Sequence, residues 1–218
     1  PSIIICKTKI GYGTPLEGSH KCHGSPLGVE NLQKTKENFK WTDEPFEVPQ
    51  DVLKHTAEAC KKGAKKEEEW KAMFAKYEKK YPELAKAYKS AMKGELPDLS
   101  KMQELFQWEK PMATRQTSSV VLNKIAAKIP ELIGGSADLA PSNLSDMKNT
   151  DAITYGDFTP ENYAGRNMHF GIREHAMAAI TNGMQLHGGL RAYCSTFFIF
   201  SDYCKHAMRL SALMNIPV

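Results

Sequence analysis

Glu174, within Gly171-Ile172-Arg173-Glu174-His175-Ala176-Met177, is the carboxylate in this sequence best placed for proton chemistry. It stands in the first turn of an expected helix, directly behind an expected strand. An acid there is satisfied by the helix dipole alone. Its apolar company, Met168, Phe170, Ile172 and Met177, adds a second expectation, a desolvated carboxyl suited to sharing a proton. Downstream, Phe197, Phe200 and Tyr203 recur at three-residue steps. Such a stripe packs in a core or offers rings on which a flat heterocycle stacks. Ser136 to Asn143 is a hydroxyl-rich loop with Asp138 and Ser142, able to donate to an anion, and Arg115 carries a guanidinium fork that suits phosphate or a surface carboxylate. His20 and His23 flank Lys21-Cys22 in a glycine-rich stretch. They suit a hydrogen-bonded polar ligand or a structural role; as a zinc set they lack a fourth ligand at regular spacing. The sequence holds no GxGxxG, GxxxxGK[ST], GxSxG or HExxH, so dinucleotide, P-loop, serine-hydrolase and zincin readings lack their basic requirement.

The elements that must position these groups follow from pattern. Ile3 to Thr8 is a β-branched run of the kind buried on both faces of a parallel sheet. Residues 11–28 are punctuated by glycine and proline too often for helix or strand, and long loops of that kind are commonly functional. From Pro49 to about Lys110 the chain turns to Lys/Glu/Ala-rich helix, with Pro82 where a second helix can begin and Trp70, Phe74, Tyr77, Tyr81, Leu84 and Tyr88 at helical spacing. After Lys110 an alternation returns: helix over Gln116–Lys128, strand over Glu131–Gly135, strand over Asn167–Gly171, helix over Arg173–His187, strand over Leu190–Cys194 and helix over Phe198–Met214. That rhythm predicts an α/β fold with a doubly wound parallel sheet, whose ligands lie at the carboxyl ends of the strands, where Asp138, Ser142 and Glu174 fall. Met214 to Val218 reads as a helix ending and another apolar strand beginning, so both ends look cut through a sheet and the 218 residues read as a piece of a longer chain.

Composition narrows the class. Hydrophobic residues make up 41% and the net charge is +4, which is ordinary globular usage and too mild to demand nucleic acid or an anionic membrane. Between Lys54 and Lys93 twelve lysines meet six acids, yet no arginine occurs there, which favours a solvated helical face over a phosphate-reading one. No apolar run approaches the roughly 20 residues of a membrane span. Five cysteines without a CxxC spacing suit a reducing compartment, with the cytoplasm as default; an organellar form needs a targeting segment outside this stretch.

Taken together, the glycine loop from Ile10 to Leu27, Ala113-Thr114-Arg115, Gly134-Gly135-Ser136-Ala137-Asp138-Leu139-Ala140-Pro141-Ser142-Asn143, the Gly171–Met177 segment and Thr196 to Tyr203 resemble the transketolases, in the family's order along essentially the whole chain. The resemblance implies a thiamine-diphosphate-binding fold cut from two α/β domains: residues 1–51 as the end of a diphosphate-binding domain, 52–111 as a helical connector and 112–218 as the first part of a pyrimidine-binding domain. It implies transfer of a two-carbon ketol unit from a ketose phosphate to an aldose phosphate in the pentose phosphate pathway, by a homodimer with sites between subunits. The cofactor would be thiamine diphosphate with Mg2+ or Ca2+, the metal ligands lying outside this stretch. By the same resemblance Glu174 shares a proton with the cofactor's aminopyrimidine, Phe200 stacks on that ring with Phe197 and Tyr203 beside it, and Asp138 supports the cofactor loops. His20 approaches the thiazolium and the sugar, and Arg115 and Ser142 clamp the acceptor phosphate. Alone, the fragment is expected to be inactive. The alternatives are a sibling thiamine enzyme, such as dihydroxyacetone synthase or the synthase of deoxyxylulose phosphate, and a non-catalytic interaction module using the basic helices.

Overall fold

A computed structural model describes residues 3–218 and divides the chain into two compact units, Pro1–Met73 and Phe74–Val218. In the first unit the expected glycine loop holds one 3-10 turn, His20–Cys22, and leads into helix α1 (Val29–Phe39). This helix has no side-chain N-cap, starting from Gly28 at φ 79°, and it stops where Lys40 adopts the left-handed conformation. Neither property announces itself in the sequence, and α1 was not foreseen. The strand expected at Ile3 to Thr8 is absent: these residues form no ladder and Ile3, Ile4 and Ile5 are exposed. A β-branched run becomes a strand only beside a partner, and none of the described residues supplies one.

Helix α2 (Gln50–Lys80) and helix α3 (Pro82–Lys93) bear out the lysine-rich helical stretch as far as Lys93, with Pro82 at the first turn of α3. Gly94, in a left-handed C-cap, ends it, and the rest of the stretch expected to be helical up to about Lys110 holds only the 3-10 turns Leu99–Lys101 and Gln103–Leu105. Within the second unit the aromatic stripe packs upon itself: Phe74 and Tyr88 lie 5.4 Å apart and Tyr77 and Tyr81 5.2 Å apart. Ala85, on α3, is fully buried.

The rest of the second unit is the expected parallel α/β layer. Helix α4 (Thr114–Ala126) precedes strand β1 (Leu132–Ser136), a single-turn helix α5 (Ala140–Asn143), strand β2 (Asn167–His169), helix α6 (Glu174–His187), strand β3 (Arg191–Ser195), a 3-10 turn Phe198–Phe200 and helix α7 (Ser201–Leu213). The sheet order is β2-β1-β3, all parallel, with Gly135 opposite Met168 on one side and Cys194 on the other. Both faces are covered. Ala137, Phe170, Met177, Ala178, Cys204 and Ala207 form one core with α6 and α7, while Ala126, Ile129, Leu132, Met147 and Tyr155 form a second beneath α4. Neighbours Tyr193 and Cys194 pack on opposite cores, as a strand's two-residue period requires. No strand forms at Met214 to Val218; the expected helix Phe198–Met214 begins instead as a 3-10 turn.

Buried polar groups tie this layer together. The Arg166 guanidinium donates to the carbonyls of Leu132 (2.7 Å), Ile129 (2.7 Å) and Ala126 (3.2 Å) and lies 4.9 Å from the Tyr155 ring centroid. It thus satisfies carbonyls at the end of α4 and the start of β1 that lack helical partners. Asn167 clips the opposite wall, donating to the carbonyl of Met147 at 2.9 Å and accepting from its amide at 2.8 Å. Asn182 donates to Ala207 at 2.9 Å and accepts from Ser211 at 2.6 Å, fastening α6 to α7.

Candidate active site

Three loops leave the carboxyl ends of β1, β2 and β3, and each carries residues expected from the sequence. After β2 the chain passes Gly171, held at φ 69°, and Glu174 opens α6. Two core residues fix this entry: Phe170 donates its amide to the Ser136 carbonyl at 3.1 Å and Met177 packs beneath. The Glu174 carboxylate is partly exposed, and it makes no hydrogen bond or ion pair among the described residues. The apolar enclosure expected for it is not formed within this chain. Phe170 and Met177 turn inward to the core, whereas Ile172 is 78% exposed. The reversal at Gly171 sends neighbouring apolar side chains to opposite sides, so composition around Glu174 overstated its burial. Helix α7 reaches the same spot, with the Cys204 thiol 3.6 Å from the Glu174 carbonyl and pushed up in pKa by its own burial.

The loop after β3 carries the aromatic group. Phe200 and Tyr203 stack with centroids 6.4 Å apart and planes inclined at 21°. Phe197 caps the 3-10 turn and is partly buried, while Phe198 is 92% exposed. His175 and His206, next to these groups on α6 and α7, meet edge to face at 6.0 Å.

The loop after β1 brings together two residues far apart in sequence. Arg115, on the first turn of α4, donates from Nη1 to the Ser142 carbonyl at 3.4 Å. Asp138 sits at φ 60°, exposed, with no hydrogen bond from its side chain among the described residues. Beneath this surface the Ser136 hydroxyl accepts from the Asn143 amide at 2.9 Å and the Leu139 backbone at 3.2 Å. Ser136 and Asn143 were missed as candidates. A polar residue closing an otherwise apolar strand, followed seven residues later by an asparagine, was the available signal.

In the first unit, His20 begins the 3-10 turn behind Ser19, whose hydroxyl accepts from the Lys21 amide at 3.2 Å. His20 and His23 are both exposed. The loop is held mainly by its backbone: Gly18 donates to Ile10 at 2.8 Å and Cys22 donates its thiol to the Ser19 carbonyl at 2.9 Å. Glu17 accepts from the Gly13 amide at 2.8 Å and from Lys9 at 3.1 Å, and these bonds, the amide first, hold its carboxyl below the usual range. Gly13 lies flat against the Phe39 ring, where a Cβ has no room.

These groups suit one end of a thiamine cofactor better than the other. A carboxylate without a partner at the head of α6, stacked rings at the head of α7, and the Thr196 hydroxyl, buried without a hydrogen bond, suit a flat ring bearing nitrogen donors and acceptors. A metal end finds no such match: among the described residues no three His, Cys, Asp or Glu are grouped to hold an ion. The zinc reading of His20, Cys22 and His23 gains nothing for the same reason.

Comparison with known proteins places residues 1–97 in the family described as transketolase, thiamine diphosphate binding domain, and residues 110–218 in that described as transketolase, pyrimidine binding domain. Along its whole length the chain is 50% identical to a transketolase of Bacillus subtilis, of which it covers 32%, and 47% identical to a chloroplastic transketolase of Craterostigma plantagineum, of which it covers 42%. It therefore spans about a third to two-fifths of the length of these relatives. A crystal structure of Pichia stipitis transketolase in complex with sedoheptulose-7-phosphate superposes with a TM-score of 0.83 at 37% identity, over 96% of this chain and 32% of that one.

Proposed function

Since the chain belongs to the transketolase family, we propose that in the full-length protein it contributes to a thiamine-diphosphate site that moves a two-carbon ketol unit from a ketose phosphate to an aldose phosphate. The observation that carries this reading is the partnerless carboxylate of Glu174 at the head of α6, beside the stacked Phe200–Tyr203 rings at the head of α7. Thiamine diphosphate, when bound, supplies the carbon nucleophile that no side chain offers.

This chain's part is proton control and placement. Glu174 holds a proton at a pyrimidine nitrogen, helped by having no competing partner. Phe200, with Phe197 and Tyr203, provides the wall against that ring, and Asp138 supports the loops around it. Arg115 and Ser142 take the acceptor's phosphate, Arg115 by its planar fork. His20 serves the sugar's hydroxyls, a role its exposure permits. The Arg115–Ser142 contact favours phosphorylated acceptors over the unphosphorylated ones of a dihydroxyacetone synthase.

The divalent ion, Mg2+ or Ca2+, belongs to residues outside this stretch, and a homodimer with active sites between subunits is part of the proposal. Exposed Ile172 and Phe198, on the rim of the site, support an apolar partner surface there. Among the described residues no helix is long and apolar enough to cross a membrane. We place the protein in the cytoplasm by the cysteine usage, while noting the chloroplastic relatives. The domain limits near residues 51 and 111 are likewise our assignment.

Replacing Glu174 by Gln in the full-length enzyme is the decisive test. It keeps the shape and removes the titrating group, so kcat should fall by about 100-fold or more with the circular dichroism spectrum unchanged. Wild-type turnover in that variant refutes the reading.

A further inference from the structure

Asp138 and Ser142 are exposed, so packing of their own side chains does not hold them in place. Their loop is fixed from below. Ser136, the last residue of β1, is 1% exposed and Asn143, the last of α5, is 7% exposed; the Asn143 amide nitrogen donates to the Ser136 hydroxyl at 2.9 Å. The same hydroxyl accepts from the Leu139 amide at 3.2 Å, and the Leu139 carbonyl in turn accepts from the amides of Ser142 and Asn143, each at 2.9 Å. The eight-residue segment from Ser136 to Asn143 thus closes on one buried oxygen. On the outer surface of this closed loop, the Ser142 carbonyl meets the Arg115 guanidinium at 3.4 Å.

We propose that Asn143, through its hydrogen bond to Ser136, is a positioning residue for the phosphate end of the acceptor: it sets the loop so that Ser142 and Arg115 present one anion-binding surface. The claim rests on the phosphate-clamp reading of Arg115 and Ser142 given above. The physical reason lies in the bond's location. A buried amide donor is costly to lose, because its partner is left in a dry environment, and here both the donor and the acceptor belong to the segment being shaped. Asn143 touches no substrate in this scheme, so its loss should alter where the phosphate is held and leave the proton chemistry at Glu174 alone.

The test uses the full-length enzyme with two acceptors, an aldose phosphate and an aldehyde without phosphate such as glycolaldehyde. Asn143→Ala should raise KM for the phosphorylated acceptor by about 10-fold and leave kcat, and KM for glycolaldehyde, within about twofold. Ser136→Ala should reproduce that pattern, since it removes the other half of the same bond. Combined with Arg115→Ala, which carries the phosphate contact itself, Asn143→Ala should add little, because both act on one interaction. Equal losses with the two acceptors, multiplicative losses in the double variant, or failure of both single variants to fold would assign Asn143 a general structural role and overturn the proposal. If Arg115→Ala leaves the phosphorylated acceptor's KM unchanged while Asn143→Ala raises it, the phosphate-clamp reading fails and the loop's positioning role survives with a different contact.

Discussion

The two loops that bear candidate residues, 10–28 in the first unit and 137–144 in the second, are built on opposite principles. Loop 137–144 hangs from β1 by a buried side-chain bond, with Ala137 and Ala140 in the interior. Loop 10–28 buries no side chain and keeps its shape through backbone turns, positive-φ glycines and the bonds of Glu17 and Cys22. The teaching is that candidate residues can be carried either by a packed scaffold or by a self-tied loop. The two should respond differently to substitution, heat and acid.

Glycine substitutions in the full-length protein separate the two principles most sharply. A Cβ on Gly135 runs into the carbonyl oxygen of Met168, on the neighbouring strand, so Gly135→Ala should break the β1–β2 pairing and abolish soluble expression. Gly24, at φ 73°, has open space around it, so Gly24→Ala should cost only about 1 kcal/mol of backbone strain. Similar expression of both variants would dissolve the distinction.

Next in size is Arg166. Replacing it by Ala leaves the carbonyls of Ala126, Ile129 and Leu132 without their donor, and a loss of about 3 kcal/mol in denaturant unfolding is expected. Burial lowers this guanidinium's pKa.

Tyr193 gives a smaller effect with a signature in alkali. Its hydroxyl donates to the Ser145 carbonyl at 2.7 Å, and burial, followed by the charge of Asp146, raises its pKa above the ordinary value of 10.0. The folded state therefore holds this proton more tightly than the unfolded chain. That contribution is complete below about pH 10 and is lost as pH rises beyond it. Tyr193→Phe should cost about 1 kcal/mol at pH 8 and flatten the decline of stability above pH 10, as read by urea titration.

The smallest effect belongs to the first unit. The lowered pKa of Glu17 means that its contribution is present above the ordinary value of 4.5 and fades as pH falls through the depressed one. Amide exchange at Gly13 should quicken below that range, and Glu17→Gln should show the quickened rate already at neutral pH, with no change in β1. Unaltered exchange at Gly13 would remove Glu17 from the loop's support.

The same contrast governs what could be read in advance. The α/β alternation after Lys110 was legible because parallel strands with helices on both faces leave apolar runs at the right lengths; errors there are of a few residues, as where β2 ends at His169 and not Gly171. Ile3 to Ile5 misled because strand propensity says nothing about a partner. Glu174 and the aromatic stripe were visible as residue types. Arg115 and Ser142, 27 positions apart, were paired only through the family resemblance, since pattern alone does not show that they meet once the sheet forms. Asn143 gave only a weak signal for a related reason: an asparagine in a proline-serine loop looks like solvent-facing turn chemistry until its burial is known.

Strand β3 stands at the margin of the sheet among the described residues, and its outward backbone has a single makeshift guard, the Gln185 side chain accepting from the Ala192 amide at 3.4 Å. A bare margin of this kind invites other chains to add strands to it. For anyone preparing these 218 residues alone, solubility is then governed by an unpaired ribbon of amides and carbonyls more than by the modest net charge of +4. Guarding that ribbon, for instance with a lysine at Cys194, would repel the added strands but would place a charge in the core shared with α7. Relief from aggregation and integrity of the fold therefore pull against each other at this one strand.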